Sequence, residues 1–454
     1  MASLPLLALA GPAARAAPQR QWSATGRREP QLDGLDAAIQ QAMRAASVRA
    51  AAIAIASKGK TLFERGYTWA EPGYPITQPS SPFRLASVSK TFTAALAYEM
   101  VRAGKIKLDT PVFAFLALDR FARPGRPRDP GLAAVTVKHL IDHSGGWDRD
   151  VAKFDPPFGL RDIARSLGLH RAPTLEEVAG YMLGEPLQFT PGTQEHYSNF
   201  GYDLLGLVGA KAANMDFILA VQKYVTGPLG VEALMARTAK ERRLPGEGFY
   251  DSPGVGDSAE FPDRSVRMPS QYGAGALLEV ATPSMGIAAS AGAVARTAGS
   301  YAAWGYGGRS GGSSRSGAIE GTASWLSSRS DGLDVCYVFN TRDFGNAGAA
   351  IDTMHKEINR VVDESHIGCE VSVYWDGDLR GDLWRTRRDQ ASIAGGWNDQ
   401  ISSITVTSGE WEFFEHGNYG GRKLALGAGN YPTLTKEWND VISSFRCIVP
   451  TLAR

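Results

Sequence analysis

The spacing of apolar residues along the first 364 positions alternates between that of helices and that of strands. Residues 33–46 and 351–362 carry apolar side chains three or four apart, which predicts an amphipathic helix in each segment. Short apolar runs bounded by turn residues predict strands over residues 50–56, 61–67, 322–327 and 333–340. An early hairpin, late strands and helices around them predict an α+β fold, with an antiparallel sheet flanked by helices.

A further helical stripe follows the sequence Ser87-Val88-Ser89-Lys90. Apolar side chains share one face of a predicted helix over residues 91–103, and Gly104 stands where a helix C-terminal cap belongs. Ser87 and Lys90 lie three residues apart at the start of this helix, so the amine can reach the hydroxyl. This spacing predicts a nucleophile beside its base.

A serine hydroxyl reacts at neutral pH only when a neighbouring group removes its proton. Lys90 can do so if burial or nearby cations keep its amine partly neutral, and Tyr197 can relay the proton. The helix N-terminus at Ser87 favours developing negative charge. For the tetrad alone, the competing interpretation is a capping serine beside a solvated lysine.

Two motif groups favour the catalytic interpretation. They are Phe83-Arg84-Leu85-Ala86-Ser87-Val88-Ser89-Lys90 and Pro191-Gly192-Thr193 with Tyr197-Ser198-Asn199-Phe200-Gly201-Tyr202 and Leu204-Leu205-Gly206. Together they resemble the serine β-lactamase and penicillin-binding-protein superfamily, most closely its class C and family VIII esterase branch, over residues 30–364. The resemblance implies a β-lactamase/transpeptidase-like fold with a helical subdomain. It also implies cofactor-free acyl transfer through Ser87, Lys90 and Tyr197, with Asn199 holding substrate or Lys90.

The third motif of that family is a strand bearing Lys-Thr-Gly or His-x-Gly, and its best match here is Arg315-Ser316-Gly317, followed by Ala318. Arg315 departs from this pattern, which has lysine or histidine at that position. An arginine can face an anion, but it stays charged and cannot shuttle a proton. By resemblance, the backbone N–H groups of Ser87 and Ala318 form the oxyanion hole, and Gly317 lets the strand approach the substrate. The alternative is a flexible Gly/Ser loop over residues 311–316.

Two other motifs are weaker candidates for chemistry. Gly308-Arg309-Ser310-Gly311-Gly312 fits a nucleophile-elbow pattern but lacks the strand before it and the helix after it, so Ser310 is read as linker. His139 and His143 have the helical spacing of a zinc pair, but the activating glutamate and a third ligand are absent. We therefore interpret both histidines as packing residues.

The last part of the chain contains an internal repeat. The sequence Tyr374-Trp375-Asp376-Gly377-Asp378-Leu379-Arg380-Gly381 recurs as Phe414-Glu415-His416-Gly417-Asn418-Tyr419-Gly420-Gly421, and Trp397-Asn398-Asp399-Gln400-Ile401-Ser402-Ser403 recurs as Trp438-Asn439-Asp440-Val441-Ile442-Ser443-Ser444. The offset of about forty residues suits one supersecondary unit of a few strands. Two such units, with alternating side chains and glycine turns, predict a small all-β sandwich.

The repeat closely resembles the βγ-crystallin domain over residues 369–449, after a linker at residues 365–368. That resemblance implies a calcium-binding loop in each copy, because both copies satisfy its Asn/Asp-Asn/Asp-x-x-Ser/Thr-Ser pattern. The oxygen donors that a hard cation prefers are available in Asp399, Ser402, Asp440 and Ser443. The alternative is that these residues only form polar turns. A bound calcium ion is expected to stabilise the domain and to take no part in hydrolysis.

Composition excludes several other classes of protein. The formal net charge of +1 gives no basis for binding nucleic acid, and no apolar run is long enough for a transmembrane segment.

The apolar residues 4–10 followed by Ala14-Arg15-Ala16-Ala17 resemble a secretory signal with a truncated start, so residues 1–29 are read as signal-like or disordered. A secreted or periplasmic location is expected. A disulfide between Cys369 and Cys447 is conceivable there, whereas Cys336 is expected to be buried.

These features predict a serine hydrolase that acts on a small-molecule ester or amide through an acyl-enzyme on Ser87. A carboxylesterase for small to medium acyl groups is the first hypothesis, and a D-amino-acid peptidase or β-lactamase is the second. A third hypothesis, prompted by Arg315, is a catalytically impaired calcium-binding surface protein. The partner of the C-terminal domain is not indicated by the sequence.

Overall fold

The computed structural model describes residues 19–263, 265–306 and 312–451. The signal-like sequence at residues 4–17 lies outside the described residues, as do residues 308–311 of the rejected elbow motif.

A six-stranded antiparallel sheet forms the centre of the larger domain. Its strands are β1 (Gln21–Thr25), β2 (Ala50–Ser57), β3 (Lys60–Ala70), β9 (Ser313–Ile319), β10 (Thr322–Ser328) and β11 (Leu333–Phe339). They lie in the order β1-β3-β2-β11-β10-β9, so the early hairpin and the late strands meet at the β2–β11 pair. The strands predicted from the apolar runs are confirmed.

The central strand β2 shows how the two faces of the sheet acquire their layers. Ile53 and Ile55 point to one face, where they pack with α1 (Asp33–Ala45) and α12 (Gly348–Glu364). Ala52 and Ala54 point to the other face, towards α11 (Ala291–Tyr301) and α2 (Ser89–Arg102). Because side chains alternate along a strand, the small residues let an alanine-rich helix lie close on one face only. The predicted helices at both ends of the domain are confirmed.

A helical subdomain is inserted between the early and late strands. Its helices are α3 (Val112–Leu116), α4 (Val137–Ile141), α5 (Arg149–Ala152), α6 (Leu160–Ser166), α7 (Leu175–Met182), α8 (Asn199–Ala213), α9 (Phe217–Val221) and α10 (Thr282–Met285). Two small sheets accompany it, built from β4 (Phe83–Arg84), β8 (Ile287–Ala289) and β5 (Leu234–Met235), and from β6 (Val255–Asp257) and β7 (Arg267–Pro269). The apolar helix α8 packs against α2, and this contact brings two distant parts of the chain together.

The N-terminal boundary predicted from the sequence is wrong. Residues 21–25 form the edge strand β1, paired with β3 in register from Gln21 with Ala70 to Thr25 with Gly66. Trp22 stacks on Trp69, with ring centroids 5.6 Å apart. The larger domain therefore includes residues that were assigned to a signal-like or disordered segment.

The C-terminal domain is a sandwich of two antiparallel sheets. One sheet holds β12 (Glu370–Asp376), β13 (Arg380–Thr386), β14 (Ser403–Ser408) and β17 (Gly429–Tyr431), and the other holds β15 (Glu410–His416), β16 (Gly420–Leu426) and β18 (Ser444–Val449). Each copy of the repeat also contributes one segment to the sheet of the other copy. Strand β17 of the second copy pairs with β14 of the first, and Gln390 of the first copy forms a bridge with Phe445 of the second. Apolar residues from both sheets, such as Val373 and Phe413, fill one core. The predicted all-β domain is confirmed.

Cys369 and Cys447 form a disulfide that links the two sheets of the sandwich. This is the pairing that the sequence left open, and Cys336 is buried as expected.

The two domains also contact each other directly. Lys58, in the turn between β2 and β3, donates to both carboxylate oxygens of Asp389 at 3.0 and 2.9 Å. Arg387 lies 3.5 Å from Asp331 of the larger domain. Two ion pairs therefore connect the smaller domain to the larger one.

Across the ranges that the structure covers, no one helix has the length and apolar character of a membrane span, although the bent pair Asn199–Ala213 and Phe217–Leu229 meets those criteria jointly.

Candidate active site

Ser87 lies in a short 3₁₀ turn, Ala86–Val88, directly before helix α2. Ala86 has a positive φ of 47°, a conformation that costs energy for a residue with a side chain and that clusters at functional sites. Strand β8 holds the turn on both sides, because Leu85 N donates to Ile287 O at 2.9 Å and Ile287 N donates to Ser89 Oγ at 3.0 Å. The nucleophile candidate is thus presented by a fixed and strained backbone.

The structure brings Ser87, Lys90 and Tyr197 together. The Tyr197 hydroxyl donates to Ser87 Oγ at 2.6 Å, and Lys90 Nζ lies 3.3 Å from the same oxygen. Lys90 Nζ also lies 4.7 Å from the centroid of the Tyr197 ring. A hydroxyl, an amine and a phenol therefore share one hydrogen-bonding cluster, which is the arrangement required to move a proton from the serine.

Lys90 is fully buried, and its amine donates to Asn199 Oδ1 at 2.7 Å and to Ser284 O at 2.8 Å. Burial, followed by the nearby Arg315 guanidinium, holds the pKa of Lys90 well below its usual range, while the carboxylates of Asp203 and Asp155 oppose the shift. An amine with a lowered pKa is available in its neutral form. Lys90 therefore meets the condition for acting as a base.

Tyr197 is held in a stack of rings. The His143 ring lies between those of Tyr197 and Tyr202, with centroids 4.8 Å from each. His143 Nδ1 accepts the backbone N–H of Ser198 at 3.1 Å, and burial lowers the pKa of His143 to about 3, so its ring is neutral. Desolvation raises the pKa of Tyr197, which keeps its phenol protonated. The expectation that His143 is a packing residue is confirmed, and its ring packs against the phenol ring of Tyr197.

His139 has a different local role. It takes part in the capping box of α4, where its side chain accepts the Thr136 N–H at 3.3 Å. Among the residues described, no cluster of three or more His, Cys, Asp or Glu side chains has a metal-binding arrangement.

The third motif forms strand β9, so the loop alternative is excluded for residues 313–316. A Cβ atom on Gly317 would lie 2.5 Å from Leu85 O and 2.7 Å from Ser87 N, which shows how closely the strand passes the Ser87 turn. Ser316 and Ala318 alternate with it and are exposed. The strand therefore reaches the candidate nucleophile at the position that the resemblance implies.

Arg315 shares the buried face of β9 with Gly317. Its guanidinium lies 4.4 Å from the centroid of the Trp304 ring and donates to the Tyr202 hydroxyl at 3.4 Å. Its Nη1 atom is buried and has no hydrogen-bond partner within the part of the chain that the structure describes. Arg315 thus adds a fixed positive charge beside Lys90 and is not a proton carrier.

Asn199 connects Lys90 to a second layer of charge. Its Nδ2 donates to Asp155 Oδ2 at 2.7 Å, and Arg149 lies 3.3 Å from that oxygen. The Arg149 guanidinium also lies 5.2 Å from the centroid of the Tyr197 ring. Asn199 therefore orients Lys90, which is one of the two roles expected for it.

Several residues near the site were missed by sequence reasoning. Asp203 lies four residues after Asn199, so helical spacing could have placed it on the same face of α8. Ser284 contributes a backbone carbonyl, and Arg149 and Asp155 belong to the inserted subdomain. No sequence signal marks these three, because their positions depend on how distant segments pack.

The two calcium-motif loops of the C-terminal domain face each other. Ser443 Oγ donates to Asp399 Oδ1 at 3.0 Å, and Ser402 Oγ donates to Asp440 Oδ1 at 3.1 Å. Each pair thus combines the aspartate of one copy with the serine of the other. Two clusters of carboxylate and hydroxyl oxygens result, and these donors fit a hard cation such as calcium.

The chain belongs to the β-lactamase family, whose model matches residues 35–378. The model of the Beta/Gamma crystallin family matches residues 370–448. Serine hydrolases of this fold include esterases, peptidases and β-lactamases, and they need no cofactor.

Three relatives illustrate the range of names within this similarity. A probable fimbrial assembly protein FimD of Dichelobacter nodosus is 33% identical over 32% of this chain and 33% of its own length. Esterase EstB of Burkholderia gladioli is 29% identical over 43% of this chain and 49% of its own length. The D-alanyl-D-alanine-carboxypeptidase/endopeptidase AmpH of Escherichia coli strain K12 is 28% identical over 34% of this chain and 36% of its own length. The chain thus spans a third to a half of the length of these relatives.

A solved structure supports the fold assignment. The hydrolase EstCE1 aligns with 73% of this chain and 98% of its own, at a TM-score of 0.50 and 19% sequence identity. This likeness concerns the fold alone.

Proposed function

We propose that the protein is a carboxylesterase that cleaves esters of small to medium acyl groups through an acyl-enzyme on Ser87. One observation carries the acyl-enzyme step of this proposal: Ser87 Oγ lies 2.6 Å from the Tyr197 hydroxyl and 3.3 Å from the amine of the buried Lys90.

In the proposed reaction, Ser87 Oγ attacks the ester carbonyl carbon while its proton passes to Lys90, directly or through the Tyr197 hydroxyl. The N–H groups of Ser87 and Ala318 stabilise the oxyanion. The bond to the alcohol oxygen then breaks, and the leaving alcohol takes the proton from the Lys90 and Tyr197 pair. A water molecule attacks the acyl-enzyme, its proton follows the same route, and the acid is released as Ser87 regains its proton.

Two observations support an ester of limited acyl size. A cavity of about 200 Å³ lies behind the catalytic residues: its lining includes Arg149, Asp155 and Ser198, which neighbour Tyr197 and Asn199, but not Ser87, Lys90 or Tyr197. Trp147, Phe154, Tyr181 and Phe200 supply aromatic walls, and such walls suit an apolar group. The similarity to Esterase EstB favours an ester substrate.

The proposal is tested by incubating the protein with a p-nitrophenyl acyl series, nitrocefin and D-alanyl p-nitroanilide. We expect turnover of short and medium p-nitrophenyl esters that is lost in Ser87→Ala, together with a fluorophosphonate adduct on Ser87 by intact mass. Ser330→Ala, which changes an exposed hydroxyl in the turn between β10 and β11, is the matched serine control for the adduct. If Ser87 forms no adduct in a folded protein, the protein is catalytically impaired and the proposal is wrong.

A D-amino-acid peptidase is the second candidate. It is favoured by the guanidinium of Arg149, which lies at the Tyr197 ring and can pair with a substrate carboxylate. The similarity to the carboxypeptidase AmpH agrees with it. Faster turnover of the D-alanyl substrate than of every ester would select this candidate.

We further propose that the C-terminal domain binds calcium through Asp399, Ser443, Asp440 and Ser402. The bound ion would supply structural stabilisation at the contact between the two copies. Terbium can replace calcium and be excited through Trp397, two residues from Asp399. We expect sensitised emission that falls in Asp399→Ala and Asp440→Ala but not in Glu437→Ala, an exposed carboxylate in the same segment. Equal emission from all three variants would contradict the proposal.

A secreted or periplasmic location also remains a proposal. The disulfide between Cys369 and Cys447 supports it, since such bonds persist in oxidising compartments. Cell fractionation tests it, and recovery of the protein from the cytosol alone with free thiols would oppose it.

A further inference from the structure

Helix α8 carries a buried carboxylate that has no part in the reaction described above. Asp203 is 1% exposed and lies one helical turn after Asn199. Its Oδ1 accepts the backbone N–H of Ser284 at 3.1 Å. A buried carboxylate is costly unless other groups compensate for it, so its presence here requires a reason.

Ser284 connects Asp203 to the candidate base. The residue belongs to α10, and its carbonyl oxygen accepts a hydrogen bond from Lys90 Nζ at 2.8 Å. Asp203 therefore fixes the N–H of the residue whose carbonyl holds the amine. A displacement of this short helix would move the acceptor away from Lys90 and change the direction in which the amine points.

The charge of Asp203 also acts on Lys90. The other groups that influence the amine are the cations Arg315 and Arg149 and the carboxylate Asp155. The rings of Tyr197 and Tyr202 face the amine, and His143, which they enclose, is neutral. Burial raises the pKa of Asp203, and the carboxyl titrates together with the nearby amine, so Asp203 is negative when Lys90 holds the proton that the pair shares. Two carboxylates thus oppose two guanidinium groups around one buried amine.

We propose that Asp203 is a positioning residue for acyl transfer, which holds Ser284 against Lys90 and, by its negative charge, sets the pH range in which Lys90 accepts the proton. This inference rests on the proposed serine hydrolase function. Asp203 does not touch the reacting atoms, and its effect passes through Ser284 and through the field at the amine.

Three substitutions separate its two roles. Asp203→Asn keeps an oxygen that can accept the Ser284 N–H but removes the charge. Asp203→Leu removes both. Arg315→Gln removes a positive charge that acts on the amine in the opposite direction. Asp216→Asn is the matched control, because Asp216 is an exposed carboxylate just beyond the end of α8.

The experiment measures the pH dependence of kcat for a p-nitrophenyl ester and of the rate of Ser87 labelling by a fluorophosphonate. The rate rises with pH as Lys90 becomes neutral. Loss of a negative charge favours the neutral amine, so the acid limb should move down by about one pH unit in Asp203→Asn. The limb should move up in Arg315→Gln and stay in place in Asp216→Asn. Asp203→Leu should lose a further factor of about ten in kcat, because the Ser284 contact is lost.

The outcomes distinguish this inference from the proposed function. If the wild-type protein labels Ser87 and the acid limb of Asp203→Asn does not move, the inference is wrong and the hydrolase proposal stands. If the wild-type protein neither labels nor hydrolyses, both are wrong. Thermal melting checks the fold of each variant. If Asp203→Asn does not fold, Asp203→Glu replaces it, because this variant keeps the charge but moves the oxygen that accepts the Ser284 N–H. An unchanged kcat in a folded Asp203→Glu would overturn the positioning role.

Discussion

Tyr197 joins the nucleophile and the base through one hydroxyl group. Tyr197→Phe removes that hydroxyl but keeps the ring that stacks on His143. We expect kcat for ester hydrolysis to fall by a factor of about 10² to 10⁴, the range for loss of a proton-transfer group, with little change in thermal melting. Tyr202→Phe, on the other side of His143, is the control and should cost less than about tenfold. Equal losses in the two variants would assign Tyr197 a packing role.

The buried His143 makes stability depend on pH. Its pKa is about 3 in the folded protein and about 6.5 when exposed, so the unfolded chain binds a proton first as the pH falls. The free energy of unfolding is unaffected by His143 above about pH 6.5, and it decreases below that pH because the unfolded chain alone binds the proton. We expect the free energy of unfolding of the larger domain to lose about 2 kcal/mol between pH 7.5 and 5 from this residue alone.

Urea unfolding at the two pH values checks this expectation. His143→Phe should lose about that much less than the wild type between pH 7.5 and 5. His170→Gln, which alters an exposed histidine, should follow the wild type. A wild-type slope retained in His143→Phe would show that other groups set the acid sensitivity.

At the scale of single residues, the sequence located those that belong to a recognisable motif. The spacing of Ser87 and Lys90 follows from helix geometry, and Tyr197 was found through the family resemblance. The carbonyl of Ser284 could not be found in this way, since every residue has a carbonyl and only the packing of α10 directs this one. Asp155 likewise comes from a loop whose path no local pattern determines.

Strand β9 is the element on which the site depends most, and Gly317 is the residue that lets it approach. A methyl group there would lie 2.5 Å from Leu85 O, a backbone atom that cannot rotate away. Gly317→Ala should therefore shift the strand or the Ser87 turn and lower kcat/KM by about a hundredfold. Gly312→Ala is the matched control, because its nearest neighbour would be 3.6 Å away. Equal activity in the two variants would mean that β9 does not constrain the turn.

The sequence left β9 undecided between strand and loop for a physical reason. Serine and glycine have little intrinsic preference for strands, and the strand forms because its partner β10 supplies a full hydrogen-bonding edge. Strands β2 and β11 were easier, since their own apolar runs require burial. Strand β1 was missed because its five residues, with the half-buried Trp22 as their one large apolar side chain, carry no clear period.

At the scale of the whole molecule, one covalent bond secures the smaller domain. The disulfide closes a loop of 78 residues between the two sheets. Removing it through Cys369→Ser with Cys447→Ser should lower the free energy of unfolding of that domain by about 4 kcal/mol, because the unfolded chain regains conformational freedom. Denaturant unfolding with and without reductant measures the change. Cys336→Ala should respond to reductant as the wild type does, and an unaltered midpoint in reductant would refute the expectation.

The swapped segment has a consequence for any shortened form of the tail. Each sheet is completed by a piece of the other repeat, β17 on one side and Gln390 on the other. A chain that stopped after the first repeat would leave the outer edge of β14 bare, and bare edges recruit strands from elsewhere. Such a half-length tail would find its missing piece in a second molecule and self-associate by domain swapping, so the tandem duplication is what allows this module to close within one polypeptide.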